Sequence, residues 1–351
     1  MKTYCKHMIL DEGHVRDAYD LWSHARAGRK NAHRVAEEHG SAGNLIREII
    51  GEIQSRSLVL RPIRRYQHIE PTNGKIRTIG IESVKQQVCD YVAVLALEDL
   101  LHAKVGFYQV ASIPGKGQRL AAHSIRRWSQ AGGYWVHMDV RQCYPSIRPE
   151  LVMSILGRYV RSPDVLYLAE TLLATYGGGL DIGSYFSLRM AQLVLSFGYH
   201  HVEDLAKTRR GQRHSLVDHQ CWYMDDVLLM SRDKRDLRAA ARSLERFMRS
   251  ELDLSMKPWK ICRVSDQEPI DMAGYVIRPG RTTVRASIFL RARHAIRHYA
   301  HHPSLAQARR VCAYWGWLAS TDSRGYIARD HVREAQRSAR LLVSTVERRH
   351  A

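Results

Sequence analysis

No stretch of this 351-residue chain approaches the roughly 18 consecutive apolar residues of a membrane-spanning helix. The opening MKTYCKHMILDEGH lacks the apolar core of a signal peptide. Six cysteines (Cys5, Cys89, Cys143, Cys221, Cys262, Cys312) form no CxxC pair and no Cys/His spacing of a zinc site. These absences lead us to expect a reduced, cytoplasmic protein with no membrane partner and no structural metal. Repeats and low-complexity tracts are also missing. The Gly/Pro-rich ASIPGKGQ (111–118) lacks the GxxxxGK[ST] spacing of a nucleotide P-loop and reads as a turn or a nucleic-acid contact.

Acidic residues are scarce, and most scarce at one end. Lys and Arg number 54 against 35 Asp and Glu, for a net charge of +19. Residues 277–351 hold fifteen arginines, no lysine, and only Asp322, Asp330, Glu334 and Glu347, a surplus of eleven positive charges. Such an excess marks a phosphate-binding surface, and arginine suits bidentate phosphate contacts and stacking. A nucleic acid is the expected partner.

The residues that are present divide the chain into recognisable segments. The first ~55 read as basic helices. LVLRPIRRYQHIEPTNGKIRTIGI (58–81) reads as two strands joined at PTNG, decorated by Arg61, Arg64, Arg65, Lys75 and Arg77. One long amphipathic helix should follow, with Val84, Val88, Tyr91, Val92, Leu95 and Leu100 on its apolar side. YWVHMDV (134–140) predicts a strand ending at Asp139, and helices are expected over about 149–176 and 187–207, separated by Gly177–Gly179. Leu237, Ala241, Leu244 and Met248 mark a further amphipathic helix. A strand near 260–264, a hairpin at DMAGYVI (271–277) and an Arg-rich helical tail complete the pattern. Strand, helices, hairpin, helix, strand is the order of an antiparallel sheet backed by helices, an α+β fold.

CWYMDDVLLM (221–230) sets Asp225 and Asp226 between two apolar runs, as the tip of a strand-turn-strand hairpin. Asp-Asp is also ordinary turn chemistry. Asp139 lies 86 residues before Asp225, again at a strand end. Neighbouring strands would gather the three carboxylates, which repel unless cations neutralise them. Two Mg²⁺ ions about 3.5–4 Å apart are the usual solution for in-line phosphoryl transfer, with Mn²⁺ as a substitute.

Several motifs, in order, resemble a known family. YMDD (223–226) is similar to the YxDD hairpin of reverse transcriptases, and DVRQCYPSI (139–147) to their first catalytic motif. LDIGSYFSLRMAQ (180–192) resembles their template-primer motif, LSMKPWK the segment supplying a catalytic lysine, MAGYVI the primer grip, and KIRTIGI the segment holding the incoming triphosphate. The resemblance spans about residues 58–280. It implies a right-hand polymerase: fingers over 1–128, a palm with an antiparallel sheet backed by helices over 129–277, and a helical thumb over 278–351.

The resemblance also implies roles for individual residues. Asp139, Asp225 and Asp226, with the Val140 carbonyl, would bind metal. Lys260 would protonate pyrophosphate, or be a solvated surface lysine. Tyr144 would exclude a ribose 2′-hydroxyl, or be a core aromatic. Lys75 and Arg77 would neutralise the triphosphate, or attract nucleic acid generally. Gly183, Ser187 and Gln192 would border the nascent pair, or simply start a helix. Arg61, Arg64, Arg65, Arg291, Arg293 and Arg297 would contact nucleic acid, and Trp315 and Trp317 either stack on bases or pack the thumb. The implied partners are a structured non-coding RNA template, a DNA or RNA primer, dNTPs and an optional accessory protein.

An aliphatic Ile182 before Gly183 is similar to bacterial diversity-generating-retroelement and antiviral-defence reverse transcriptases, with retrons a further relative. Leu188 and Gln192 depart from the Gln and Asn common in the first group, which favours a defence or other retroelement role over mutagenic diversification. About 75 residues after the second hairpin are too few for a thumb plus a nuclease domain. The rivals are an RNA-templated RNA polymerase, which Tyr144 opposes, and a non-catalytic RNA-binding scaffold, which the carboxylates oppose.

Overall fold

Val84, Val88 and Val92 recur every four residues, and all three are completely buried in a helix, Val84–Ala96. Its remaining faces are covered too, because helices Glu12–Ala25, Ala42–Gln54, Pro163–Ala174 and Tyr185–Asp204 all pack around it. Polar positions that suggested a solvent face are instead paired. Lys85 Nζ contacts Glu48 at 2.8 Å and Glu52 at 2.7 Å, and Gln87 accepts from Trp22 Nε1 at 3.1 Å. The single amphipathic helix expected through Leu100 is therefore two elements. It breaks at Leu97, Glu98–Lys104 follows, and Tyr91 and Leu95 are only half-buried.

The computed structural model describes residues 3–5, 8–25, 29–70, 74–265 and 267–348, and the chain divides into two compact units. The first takes residues 1–109, 139–205 and 242–258, and the second takes 110–138, 206–241 and 259–351. In the first, the basic start folds as Glu12–Ala25, Arg29–His39 and Ala42–Gln54, the last capped by Ser41, whose Oγ accepts from Asn44 N at 3.1 Å. Residues 26–28 of the basic stretch lie outside the described residues. Strands Arg64–Ile69 and Ile76–Ile81 pair antiparallel from Arg64↔Ile81 to Ile69↔Ile76. The Pro71, Thr72 and Asn73 portion of their expected turn also lies outside the described residues. Helices Pro149–Tyr159 and Pro163–Ala174 begin with proline at their first turn, where its missing N–H costs nothing. The helix expected over 187–207 runs Tyr185–Asp204, and Lys207 belongs to the next strand.

A four-stranded sheet has the order His219–Tyr223, Asp226–Ser231, Tyr134–Asp139, Ile261–Arg263. The first two strands pair antiparallel, as do the last two. Helix Gln118–Ser129 packs on the His219–Tyr223 strand, and Trp128 stacks on His219 with centroids 4.7 Å apart. A three-stranded sheet, Ile270–Met272, Tyr275–Arg278 and Arg281–Val284, precedes helices Ala286–His301, Leu305–Ala319 and Asp330–Arg348, which pack on one another. The hairpin Ala206–Arg209/Gln212–Ser215 had no sequence expectation, since its exposed strands do not alternate. Its turn residues, Arg210 at φ +51° and Gly211 at φ +76°, supply the left-handed pair that a two-residue hairpin turn requires. No helix among the described residues is long and apolar enough to cross a membrane.

Two acids lie inside the first unit. Asp90 Oδ2 accepts from Ser184 Oγ at 2.7 Å and from Phe186 N at 3.0 Å, while Tyr176 and Ser184 share a hydroxyl–hydroxyl bond of 2.8 Å. Burial, reinforced by the charge of Asp90, pushes the carboxyl of the neighbouring Glu82 far above the ordinary range. Burial raises Asp90 as well, but its hydrogen bonds oppose that shift, so Glu82 keeps the proton. A raised carboxyl stabilises the fold fully below the ordinary carboxylate range and loses that contribution as pH climbs toward the raised value. Glu82→Gln should therefore flatten the alkaline decline of Tm and leave the variant above wild type near about pH 9.5. Parallel Tm–pH curves would show that Glu82 does not titrate in this way.

Candidate active site

The YMDD segment folds as a tight hairpin. Tyr223 pairs with Asp226 across a turn made of Met224 and Asp225, and Met224 takes φ +56°. Cys221, Trp222, Val227, Leu228 and Leu229 are buried on either side, so the apolar runs anchor the strands and leave the acidic residues at their ends. Gln118 donates to the Tyr223 hydroxyl at 3.1 Å, and Val110 N to Trp222 O at 2.9 Å, bracing the hairpin. The neighbouring strand ends at Asp139, and the Asp226–Ser231 strand begins at Asp226.

Each of these carboxylates meets a cationic or imidazole nitrogen. Lys257 Nζ lies 2.6 Å from Asp139 Oδ1, an oxygen shut off from solvent with no donor well aligned on it. The main chain reinforces the pairing: Lys257 N donates to Asp139 O at 2.8 Å, Arg141 N donates to Ser255 O at 2.8 Å, and Val140 bridges Met256. His137 Nε2 lies 3.4 Å from Asp226 Oδ1. Sequence reasoning missed both partners. His137 was detectable, because residues two apart on a strand share a face and it precedes Asp139 by two. Lys257 shares its segment with Lys260, and spacing did not separate them. Lys260 is 79% exposed and faces Glu268 at 3.3 Å, which raises its pKa and keeps it charged.

In the first unit, the template-primer segment meets the Arg64–Ile81 hairpin. Gly80 N donates to Ile182 O at 2.8 Å, and Gly183 sits at φ +119° where a Cβ would lie 2.6 Å from Gly80 O. Only glycine permits that backbone and that approach. Arg65 forks onto Asp181 (3.2 and 2.6 Å) and locks the same loop. Ser187 is fully buried, its Oγ accepting from Asp181 N at 3.2 Å, and Gln192 is 2% exposed, its carbonyl accepting from Gln109 at 3.0 Å. The Ser187 hydroxyl thus braces the loop from inside, while the Gln192 side chain accepts from Arg189 on its own helix. Tyr144 is half-buried in the short helix Cys143–Ser146, and its carbonyl accepts from Leu180 N at 2.9 Å.

The basic candidates are distributed unevenly. Arg77 pairs with Glu70 at 2.9 Å and Arg61 with Glu38 at 3.0 Å, while Arg64 and Lys75 are exposed. On helix Ala286–His301, Arg293 and Arg297 are one turn apart and both act on Tyr326. Arg291 lies roughly 160° around the helix from Arg293, so the three do not form one stripe. Trp317 packs on Tyr275 with centroids 4.9 Å apart and against Gly274, so it belongs to the packing of this unit.

The chain belongs to the reverse transcriptase (RNA-dependent DNA polymerase) family, which matches residues 69–277. It is an RNA-directed DNA polymerase, a nucleotidyltransferase, whose substrates are a nucleic-acid template and primer and dNTPs. No curated protein matches the sequence. The family generally uses divalent cations. Among the described residues no cluster of three or more His, Cys, Asp or Glu side chains is gathered closely enough to hold a metal ion. The carboxylate oxygens of Asp139 and Asp226, each facing a nitrogen cation or imidazole, nevertheless have the hard-donor chemistry that Mg²⁺ requires.

The Gly183 contact yields a quantitative expectation. Gly183→Ala should lower unfolding stability by about 2–4 kcal/mol, from backbone strain plus the clash with Gly80 O. Gly211→Ala, with a positive φ but nothing within 4 Å, should show the strain alone, about 1–2 kcal/mol. Denaturant midpoints that fall equally for both would remove the close approach from the account.

Proposed function

We propose that Asp139, Asp225 and Asp226 form the metal-binding centre at which this enzyme copies RNA into DNA, with the Val140 carbonyl as a further ligand. The observation carrying this reading is that Asp139 ends one strand and Asp226 begins its neighbour, each carboxylate already facing a nitrogen partner. When bound, two Mg²⁺ or Mn²⁺ ions would activate the attacking 3′-hydroxyl and offset charge on the leaving pyrophosphate. The chain's own residues do the rest. Lys257 and His137 offset the repulsion that the carboxylates would otherwise exert on one another. Arg77 exchanges Glu70 for the triphosphate, with Lys75 beside it. Lys260, charged and exposed, donates its Nζ proton to pyrophosphate.

In this reading residues 1–128 are fingers, 129–277 palm and 278–351 thumb, working in the cytoplasm on a dedicated structured RNA. Apolar side chains at Ile182 and Leu188 offer shape and no hydrogen bond to the nascent pair, which supports a defence or other retroelement role over mutagenic copying. Arg61, Arg64, Arg65, Arg291, Arg293 and Arg297 supply phosphate contacts, those of Arg61 and Arg65 by exchange with Glu38 and Asp181.

Asp225→Asn and Asp139→Asn should each reduce Mg²⁺-dependent dNTP incorporation on a primed RNA by at least about a thousandfold, with RNA affinity by anisotropy within about threefold of wild type. Extension at wild-type rates in either variant would sink the assignment.

Tyr144 follows Asp139 by five residues, and from that spacing we assign its ring to sugar discrimination. Tyr144→Ala should raise rNTP incorporation relative to dNTP by about tenfold or more. An active variant with unchanged sugar selectivity would show that the ring has no such role.

A further inference from the structure

Glu82, Gln86 and Asp90 are spaced by four residues, and all three are buried. That spacing keeps side chains on one side of a helix, so the row runs from just before helix Val84–Ala96 to its middle. Gln86 Nε2 donates to Thr175 Oγ1 at 2.9 Å and reaches Glu82 Oε1 at 3.5 Å. Asp90 Oδ2 takes the Ser184 hydroxyl and Phe186 N, while Asp90 Oδ1 is shut off from solvent and receives no amide or hydroxyl hydrogen among the described residues. A protonated Glu82 supplies that missing donor, because its carboxyl lies within hydrogen-bonding reach of Asp90 and of Ser184. The two carboxyls then carry one proton and one charge between them.

The row ends on the loop 180–184. Ser184 has a single hydroxyl hydrogen, which an ionised Asp90 takes, so the Tyr176 hydroxyl donates to Ser184. Ser184 Oγ also accepts from Ser187 N at 3.0 Å and so caps helix Tyr185–Asp204. At the other end of the loop, Leu180 N donates to Tyr144 O at 2.9 Å. Between the ends, Ile182 O accepts from Gly80 N, two residues before Glu82. The loop is thus tied to the peptide of Tyr144 at one end and to Asp90 at the other, and it lies against the strand that delivers Glu82.

Other ionisable groups approach the pair from the neighbouring elements. Asp181 of the loop adds to the rise of Glu82 and is itself forked by Arg65. Tyr176 and Tyr185 feel the charge of Asp90, and Arg189 and Glu98 act on Tyr185. Cys89 lies buried beside Asp90 on the same helix. Glu48 and Glu52 meet Lys85, His39 meets Glu48, and His14 meets Val92 O. Removing the Glu82 proton would leave two carboxylates in contact and Asp90 Oδ1 without a donor, and the strain would fall on Ser184, which both acids hold.

We infer that Glu82 and Asp90 are positioning residues for polymerisation: the proton between them holds Ser184, and through it the loop 180–184, in place for the incoming nucleotide. The inference rests on the reading, proposed above, that this loop borders the nascent base pair. Neither acid touches substrate, and each acts through the loop alone.

Steady-state dNTP incorporation on a primed RNA, with amide exchange of residues 180–188 followed by mass spectrometry, tests it. Between about pH 7.5 and 9.5 the KM for dNTP should rise about fivefold more in the wild type than in Glu82→Gln, whose amide keeps a donor at every pH, while kcat follows one profile in both. Ionisation of the bases and of the primer 3′-hydroxyl acts on both enzymes alike and drops out of that comparison. Glu82→Ala, with no donor, should show a KM raised about fivefold at both ends of the range. If it does not fold, the Gln comparison carries the test. Exchange of the loop should quicken at the higher pH in the wild type relative to Glu82→Gln. Quickened exchange without the KM difference would overturn the placement of the loop at the nascent pair, and the inference with it. Equal exchange in the two enzymes, whatever KM does, would overturn the inference alone.

Discussion

A carboxylate without access to solvent organises the first unit. Asp90 lies at the centre of a helix that other helices enclose, and an ion there is unfavourable unless hydrogen bonds replace water. The groups that replace it, Ser184 Oγ and Phe186 N, sit at the start of helix Tyr185–Asp204. Satisfying one buried charge therefore fixes where the following helix begins. It also fixes the loop that precedes it, and through Gly183 the approach of that loop to Gly80. Glu82, kept protonated by the same burial, lets a second acid occupy the site without a second charge.

The acidic residues at the strand ends are accommodated in the opposite way. Asp139 and Asp226 stand at strand ends, partly exposed, and nitrogen partners from elsewhere in the chain reach them. Both are half-buried, whereas the more deeply buried Glu82 has its pKa raised by desolvation.

Arginine has two roles that composition cannot separate. Arg65 and Arg285 are forked onto Asp181 and Asp271. Arg278 and Arg281 face each other across two strands, and Arg293 and Arg297 flank a phenol. The surplus of positive charge in residues 277–351 is in this sense not uniform: Arg285 is paired with Asp271, whereas Arg278 and Arg281 are held side by side by a hairpin.

The sequence by itself determined the order of elements, the strand ending at Asp139, the acidic hairpin and the Arg-rich helical tail. Apolar periodicity and turn chemistry act over a few residues, and those rules are local. It misjudged helix Val84–Ala96 as amphipathic, because the polar side chains that looked solvated are matched by Glu48, Glu52, Trp22 and Ser184, residues as many as 94 positions away. It singled out Lys260, while the tertiary structure set Lys257 against Asp139. It singled out Ser187 and Gln192 without showing that packing buries both. Periodicity states which residues avoid water. Which partner meets a buried charge, and which of two nearby lysines reaches a carboxylate, depends on how distant segments pack, and only the folded chain decides that.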